Sequence, residues 1–181
     1  MSRRHACLLY GVVALVAAGA GWWFGWQRHA VQLPREGDGV AQLFALTLPD
    51  AAGVRQPLAQ WRGKVLVINF WAPWCGPCVE EMPELAALQR QLGNRDVQFV
   101  GIGIDSGPNI EEFLLKHKDI DYPLLVSGAE GLSLGRALGN LSGGLPFTVV
   151  TDRQGKIQHL KLGQIRKQDL LAWIYQVQAQ P

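Results

Sequence analysis

The chain has 181 residues, 48% of them apolar, enough for one domain with a real core plus a short appendage. Charged residues make up 18% and the formal net charge is +2 with no basic run, which excludes the electrostatic footprint of a nucleic-acid binder. Three cysteines are too few for a disulfide-stapled scaffold, so chemistry and partners have to be read from local motifs.

Residues 1–6 carry Arg3 and Arg4, and from Cys7 to Trp26 no side chain is charged. About 20 such residues in a helix span the hydrocarbon core of a bilayer. Arginines on the leading side and Trp22, Trp23 and Trp26 at the far end fit the positive-inside rule and an interfacial aromatic belt. The expectation is a cytoplasmic N-terminus at 1–6 and a transmembrane anchor at 7–26, although Arg28 softens the charge asymmetry. Ala18, Gly19 and Ala20 offer the small residues of a cleavable signal peptide, but the apolar stretch continues past them, which favours an anchor. Cys7 precedes the apolar run, where a lipoprotein cysteine would follow it, and reads as a small apolar residue. Either way the downstream domain is delivered to an oxidising compartment.

Residues 27–42 are polar, with Pro34, Gly37 and Gly39 and no apolar period, and read as a linker, so that the domain is expected over 43–181. Alternation over Phe44 to Leu48 followed by the turn residues Pro49 to Gly53 predicts a short N-terminal hairpin. Val65 to Trp71 is a continuous β-rich apolar run, the mark of a strand buried on both faces. A helix follows over Pro77 to Leu92, then a strand over Val97 to Ile104, a helix over Ile110 to His117, and an extended segment over Leu124 to Val126. Next come a helix over Leu132 to Leu138, an antiparallel hairpin of Phe147 to Thr151 with Ile157 to Leu162, and a closing amphipathic helix over Lys167 to Gln178. This order implies an α/β domain, a mixed central sheet flanked by helices on both faces.

Cys75-Gly76-Pro77-Cys78 falls where the central strand gives way to its helix. A thiolate at a helix N-terminus is stabilised by unpaired N–H groups and the macrodipole, which makes Cys75 the natural nucleophile. Cys78, one turn further in, is placed to resolve a mixed disulfide on Cys75. Pro77 suits the first helical turn, where its missing N–H is not needed. A zinc knuckle or a pair of unrelated core cysteines is the competing reading. It lacks a second C-x-x-C or an H-x₃₋₅-H pair, since His117 and His159 are isolated and the histidines read as surface residues.

The segment Asn69-Phe70-Trp71-Ala72-Pro73-Trp74-Cys75-Gly76-Pro77-Cys78, followed by Glu80-Glu81-Met82-Pro83, resembles the active-site segment of the TlpA/ResA-like branch of the thioredoxin superfamily. Trp61 to Lys64, Gly144 to Thr148 and Asp152 to Lys156 also look like that branch, and the resemblance runs over about 43–178. It implies a thioredoxin fold, a reversible Cys75–Cys78 disulfide, and a cis peptide at Leu145-Pro146 facing it, where the backbone pairs with a substrate strand. It also implies that Trp74, Gly76 and Pro77 contact substrate. Ordinary thioredoxins carry a buried aspartate where this chain has Asn69, and an amide cannot relay a proton. Relatives have a glutamate matching Glu81 that is implicated in thiol protonation, so Glu81 is the proton-relay candidate, weighed against a solvated helix charge, as Glu80 and Glu84 are expected to be.

The activity so implied is a thiol:disulfide oxidoreductase without a bound cofactor, reducing disulfides of exported proteins and recharged by a membrane electron donor of the DsbD/CcdA kind. Relatives serve cytochrome c maturation, copper-site assembly or thiol repair. Gly76-Pro77 is the dipeptide of reducing thioredoxin, at about −270 mV, against about −120 mV for the strong oxidant DsbA. An oxidase or isomerase of the same fold, a redox-inert binding module presenting the Leu145-Pro146 groove, and a peroxide-reducing enzyme using Cys75 are the alternatives. The expected location is single-pass in a bacterial cytoplasmic membrane, with the catalytic domain outside.

Overall fold

The computed structural model describes residues 38–93 and 96–180. The anchor expected at 7–26 lies outside the described residues, among which no helix is long and apolar enough to cross a membrane. The first element, helix α1 (Asp38–Ala45), corrects the sequence reading, in which residues up to 42 belong to a linker. Val40, Leu43 and Phe44 fall at i, i+3 and i+4 and are all buried, so one short apolar stripe holds the helix to the domain. Gly39, read from sequence as a breaker, instead lets the helix backbone approach the carbonyl of Ala137 so closely that a Cβ there would overlap it.

The expected N-terminal hairpin is present as β1 (Thr47–Pro49) and β2 (Arg55–Pro57), antiparallel, but starts three residues late because Phe44 belongs to α1. Asp50 forms its turn, its carboxylate accepting the N–H groups of Ala52 and Val54 at 3.0 and 2.9 Å. A single 3₁₀ turn (Leu58–Trp61) leads to the central strand β3 (Val65–Trp71). Helix α2 (Gly76–Leu92), strand β4 (Val97–Gly103), helix α3 (Gly107–Lys116) and strand β5 (Leu124–Val126) follow. Helix α4 (Glu130–Ala137), the hairpin β6 (Phe147–Thr151) and β7 (Ile157–Leu162), and helix α5 (Lys167–Gln178) complete the domain. Helix α3 starts three residues before its apolar period because Ser106 caps it, its hydroxyl accepting the Asn109 N–H at 3.4 Å.

Five strands form one mixed sheet in the order β5-β4-β3-β6-β7, with β3 parallel to β4 and antiparallel to β6. All seven residues of β3 are buried, so both faces of the sheet are covered there. Val65, Val67 and Trp71 pack with apolar residues of α2, α3 and α5. The alternate residues Leu66, Ile68 and Phe70 pack with α1, the 3₁₀ turn and α4. The two-residue period of one strand thus sorts the helices into two layers, and Asn69 is the polar side chain that β3 turns into the first of them.

Candidate active site

Strand β3 ends at Trp71, and the chain turns through Ala72, Pro73 and Trp74 before Cys75 becomes the N-cap of α2 with an extended φ of −92° and ψ of 99°. The turn closes by a hydrogen bond from the Cys75 N–H to the Ala72 carbonyl at 3.1 Å, and the Cys75 carbonyl accepts the first helical bond from Val79 at 3.1 Å. Gly76 and Pro77 form the exposed first turn, and Cys75 and Cys78 are joined in a disulfide with S–S 2.02 Å and Cα–Cα 5.3 Å. Cys75 keeps 7% of its surface while Cys78 is fully buried. A partner can therefore reach only the sulfur at the helix terminus, where a thiolate is electrostatically favoured.

Glu81 lies one helical turn beyond Cys78, on the same buried face of α2, and is only 2% exposed. That burial replaces the solvated-charge alternative. One carboxylate oxygen accepts the Asn69 side-chain N–H at 2.8 Å, and the other accepts the Ile165 backbone N–H at 3.0 Å. Burial pushes the Glu81 carboxyl up to about 7, against the lowering effect of the Ile165 and Asn69 hydrogen bonds and with a smaller upward push from Glu84. A carboxyl poised there exchanges protons with a thiol near neutral pH, whereas an ordinary carboxylate is too weak a base. Glu80 and Glu84 are exposed.

Asn69 also donates to Thr148 Oγ1 at 3.1 Å, its neighbour across the β3–β6 pairing, while its own Oδ1 has no partner among the described residues. Thr148 is fully buried, and its place in this network has no sequence signal beyond its position in a strand. Tyr122 is buried with its hydroxyl unpartnered among the described residues, and burial followed by the charge of Glu81 raises its pKa.

The Leu145-Pro146 peptide bond is cis, as the resemblance implies. The Pro146 carbonyl accepts the Gly163 N–H at 2.8 Å, which ties this loop to the end of β7. Asn140, 5% exposed and not singled out in the sequence, braces the approach by donating to the Gly144 carbonyl at 2.8 Å. Leu145 is half-buried against the core cluster that contains both cysteines. Trp74 projects outward at 69% exposure, beside a groove that it shares with Pro73, Val79, Asp105 and Phe113. Trp71 is fully buried against Phe113, with ring centroids 4.8 Å apart. His117 and His159 correct the surface reading: both are half-buried, stacked on Phe113 and Trp173 at 4.2 and 4.6 Å between ring centroids.

Comparison with known proteins adds independent findings. The family model described as Redoxin matches residues 36–172. The chain is 23% identical over 181 residues to the thiol-disulfide oxidoreductase ResA of Bacillus cereus (strain ZK / E33L), covering 97% of this chain and 98% of that protein. It is 24% identical over 165 residues to the thioredoxin-like protein YneN of Bacillus subtilis (strain 168), covering 90% and 93% of the two chains. The crystal structure of a thioredoxin-family thiol:disulfide interchange protein from Chlorobium tepidum TLS superposes with a TM-score of 0.64 at 27% identity, covering 74% of this chain and 93% of that one.

Proposed function

The chain belongs to the Redoxin family, and from that premise we propose that it is a thiol:disulfide oxidoreductase that reduces disulfides in exported proteins. The observation that carries the reading is the Cys75–Cys78 disulfide at the N-terminus of α2, with one sulfur at the surface and the other sealed behind it. In the reduced protein the Cys75 thiolate attacks a client disulfide, forming a mixed disulfide and expelling one client thiolate. Glu81 takes the proton of Cys78, whose thiolate attacks Cys75 Sγ and releases the second client sulfur. Two electrons pass to the client, whose two thiolates are protonated, and the protein is left with the disulfide seen in the structure.

Reduction is favoured over oxidation by the Gly76-Pro77 dipeptide, which is that of thioredoxin. The anchor at 7–26 holds the domain on the outer side of a cytoplasmic membrane, and a membrane electron donor of the DsbD/CcdA kind restores the dithiol. The match to the thiol-disulfide oxidoreductase ResA of Bacillus cereus, which spans 97% of the chain, supports the oxidoreductase activity. The reduction potential of the Cys75/Cys78 couple tests it, read by tryptophan fluorescence in a dithiothreitol or glutathione series. A value near or below about −270 mV is expected, whereas one near about −120 mV replaces the reductase with an oxidase.

A further inference from the structure

The proton that Glu81 takes from Cys78 has to leave, and the disulfide face is where a client docks. Cys78 is fully buried and Cys75 only 7% exposed, so a client joined to Cys75 covers what little opening that side has. A separate groove of about 710 Å³ reaches Glu81 from another direction, between α2 and the segment that enters α5. Glu81 and Ile165 form its inner wall, the two residues joined by the 3.0 Å bond from the Ile165 N–H to the carboxylate. Glu80, Glu84, Lys167 and Gln168 are exposed along its rim. None of Trp74, Cys75, Gly76, Pro77, Leu145 and Pro146 lines it. Helix geometry accounts for the separation: Val79, which lines the groove beside Trp74, and Glu81 are two residues apart and thus about 200° apart around α2.

We propose that the groove between α2 and α5 is the solvent connection of Glu81, through which its carboxyl exchanges protons with water while a client covers the disulfide. This rests on the reading of Glu81 as the group that deprotonates Cys78. The balance is simple: the proton leaves Cys78 Sγ for the Glu81 carboxylate and passes from there to water in the groove, while the released client thiolate takes its own proton from solvent. The charged residues that line the groove with Glu81 are Glu80 and Glu84 on α2 and Arg166 and Lys167 at the start of α5, with Arg166 paired to Asp169. Among the described residues the buried Tyr122 also feels the charge of Glu81, and the sheet contributes the neutral Asn69, which donates to the carboxylate.

The experiment is a carboxyl ¹³C titration of the full chain, with the Glu81 signal identified by its loss in Glu81→Gln. Cys78→Ser is titrated free and with a cysteine-containing peptide disulfide-linked to Cys75. Gln168→Trp and Leu171→Trp, which fill the groove from an exposed and a half-buried position, are titrated alongside the parent. The expected result is a Glu81 inflection unmoved within about 0.3 pH unit by the peptide and raised by about one pH unit or more in the filled variants, where water is withdrawn. An inflection moved by the peptide but not by filling overturns the proposal and gives Glu81 a path through the disulfide face. A peptide that does not couple to Cys75 defeats the oxidoreductase reading instead. The filled variants then decide the groove alone, and parental inflections in both overturn it.

Discussion

Asn69 donates its side-chain amide to Glu81 across 2.8 Å, joining the central strand to the helix that carries the disulfide. A carboxylate in place of this amide would face Glu81 as a like charge, whereas the amide supplies a donor that favours the ionised acid. Removing that donor in Asn69→Leu is expected to raise the Glu81 inflection above its value of about 7 and to slow Cys78 resolution at neutral pH. Asn69→Asp is expected to raise it further, since two carboxyls then compete to stay neutral. The carboxyl titration and the pH profile of peptide-disulfide reduction report both. A downward shift in Asn69→Leu would show that the amide does not favour the carboxylate.

Glu81 also makes stability depend on pH, with a sign that is fixed. Its folded value of about 7 lies above the ordinary 4.5, so the native state holds a proton that the unfolded chain has released between those values. Stability therefore falls as pH rises from about 4.5 and levels off above about 7, by about 3 kcal/mol at most. Glu81→Gln removes this component. Gln also loses one acceptor for the Asn69 and Ile165 donors, but that cost is independent of pH. Urea unfolding of the oxidised protein at pH 4.5 and 8 is expected to show a smaller decrease in the variant than in the parent, and equal decreases refute the assignment.

Which parts of this site are legible in the sequence follows from how local their signals are. Val65 to Trp71 and the Cys75-Gly76-Pro77-Cys78 turn carry their own pattern, one as an unbroken apolar strand and the other as paired sulfurs ahead of a helical period. Glu81 is nominated by the resemblance to relatives with a glutamate at the matching place, but its burial depends on α5 and the Ile165 N–H, 84 residues away in sequence. Thr148 is missed for the same reason, since its partner is set by β-pairing, whereas Asn140 lies only four residues from its acceptor Gly144 and is missed because the loop conformation that joins them has no pattern of its own. Helix α1 is missed because its stripe is only three residues wide and its glycine reads as a breaker until the Ala137 carbonyl is packed against it.

Trp74 is exposed beside the disulfide and contributes little to the core, so Trp74→Ala is expected to change unfolding free energy by no more than about 0.5 kcal/mol. The same change removes an apolar platform next to the reactive sulfur. Steady-state reduction of a peptide disulfide is expected to show a raised KM with kcat largely kept, as for lost uniform binding. A large loss of stability with unchanged KM would place Trp74 in the structure rather than in recognition.

Gly39→Ala sets two effects of opposite sign against each other. Helix propensity alone favours Ala over Gly by about 1 kcal/mol, and α1 is a short helix that would gain from it. The Cβ would overlap the Ala137 carbonyl, however, which is backbone and cannot swing aside as a side chain would. Relief requires α1 to move away from α4, exposing Val40, Leu43 and Phe44, and overpacking of this kind costs about 1 to 3 kcal/mol. The net expectation is a loss of about 1 to 2 kcal/mol in urea unfolding, with the Cys75/Cys78 potential unchanged because α1 lies on the opposite face of the sheet from α2. A stabilised variant would mean that propensity outweighs the contact and that α1 is not held by the close approach at Gly39.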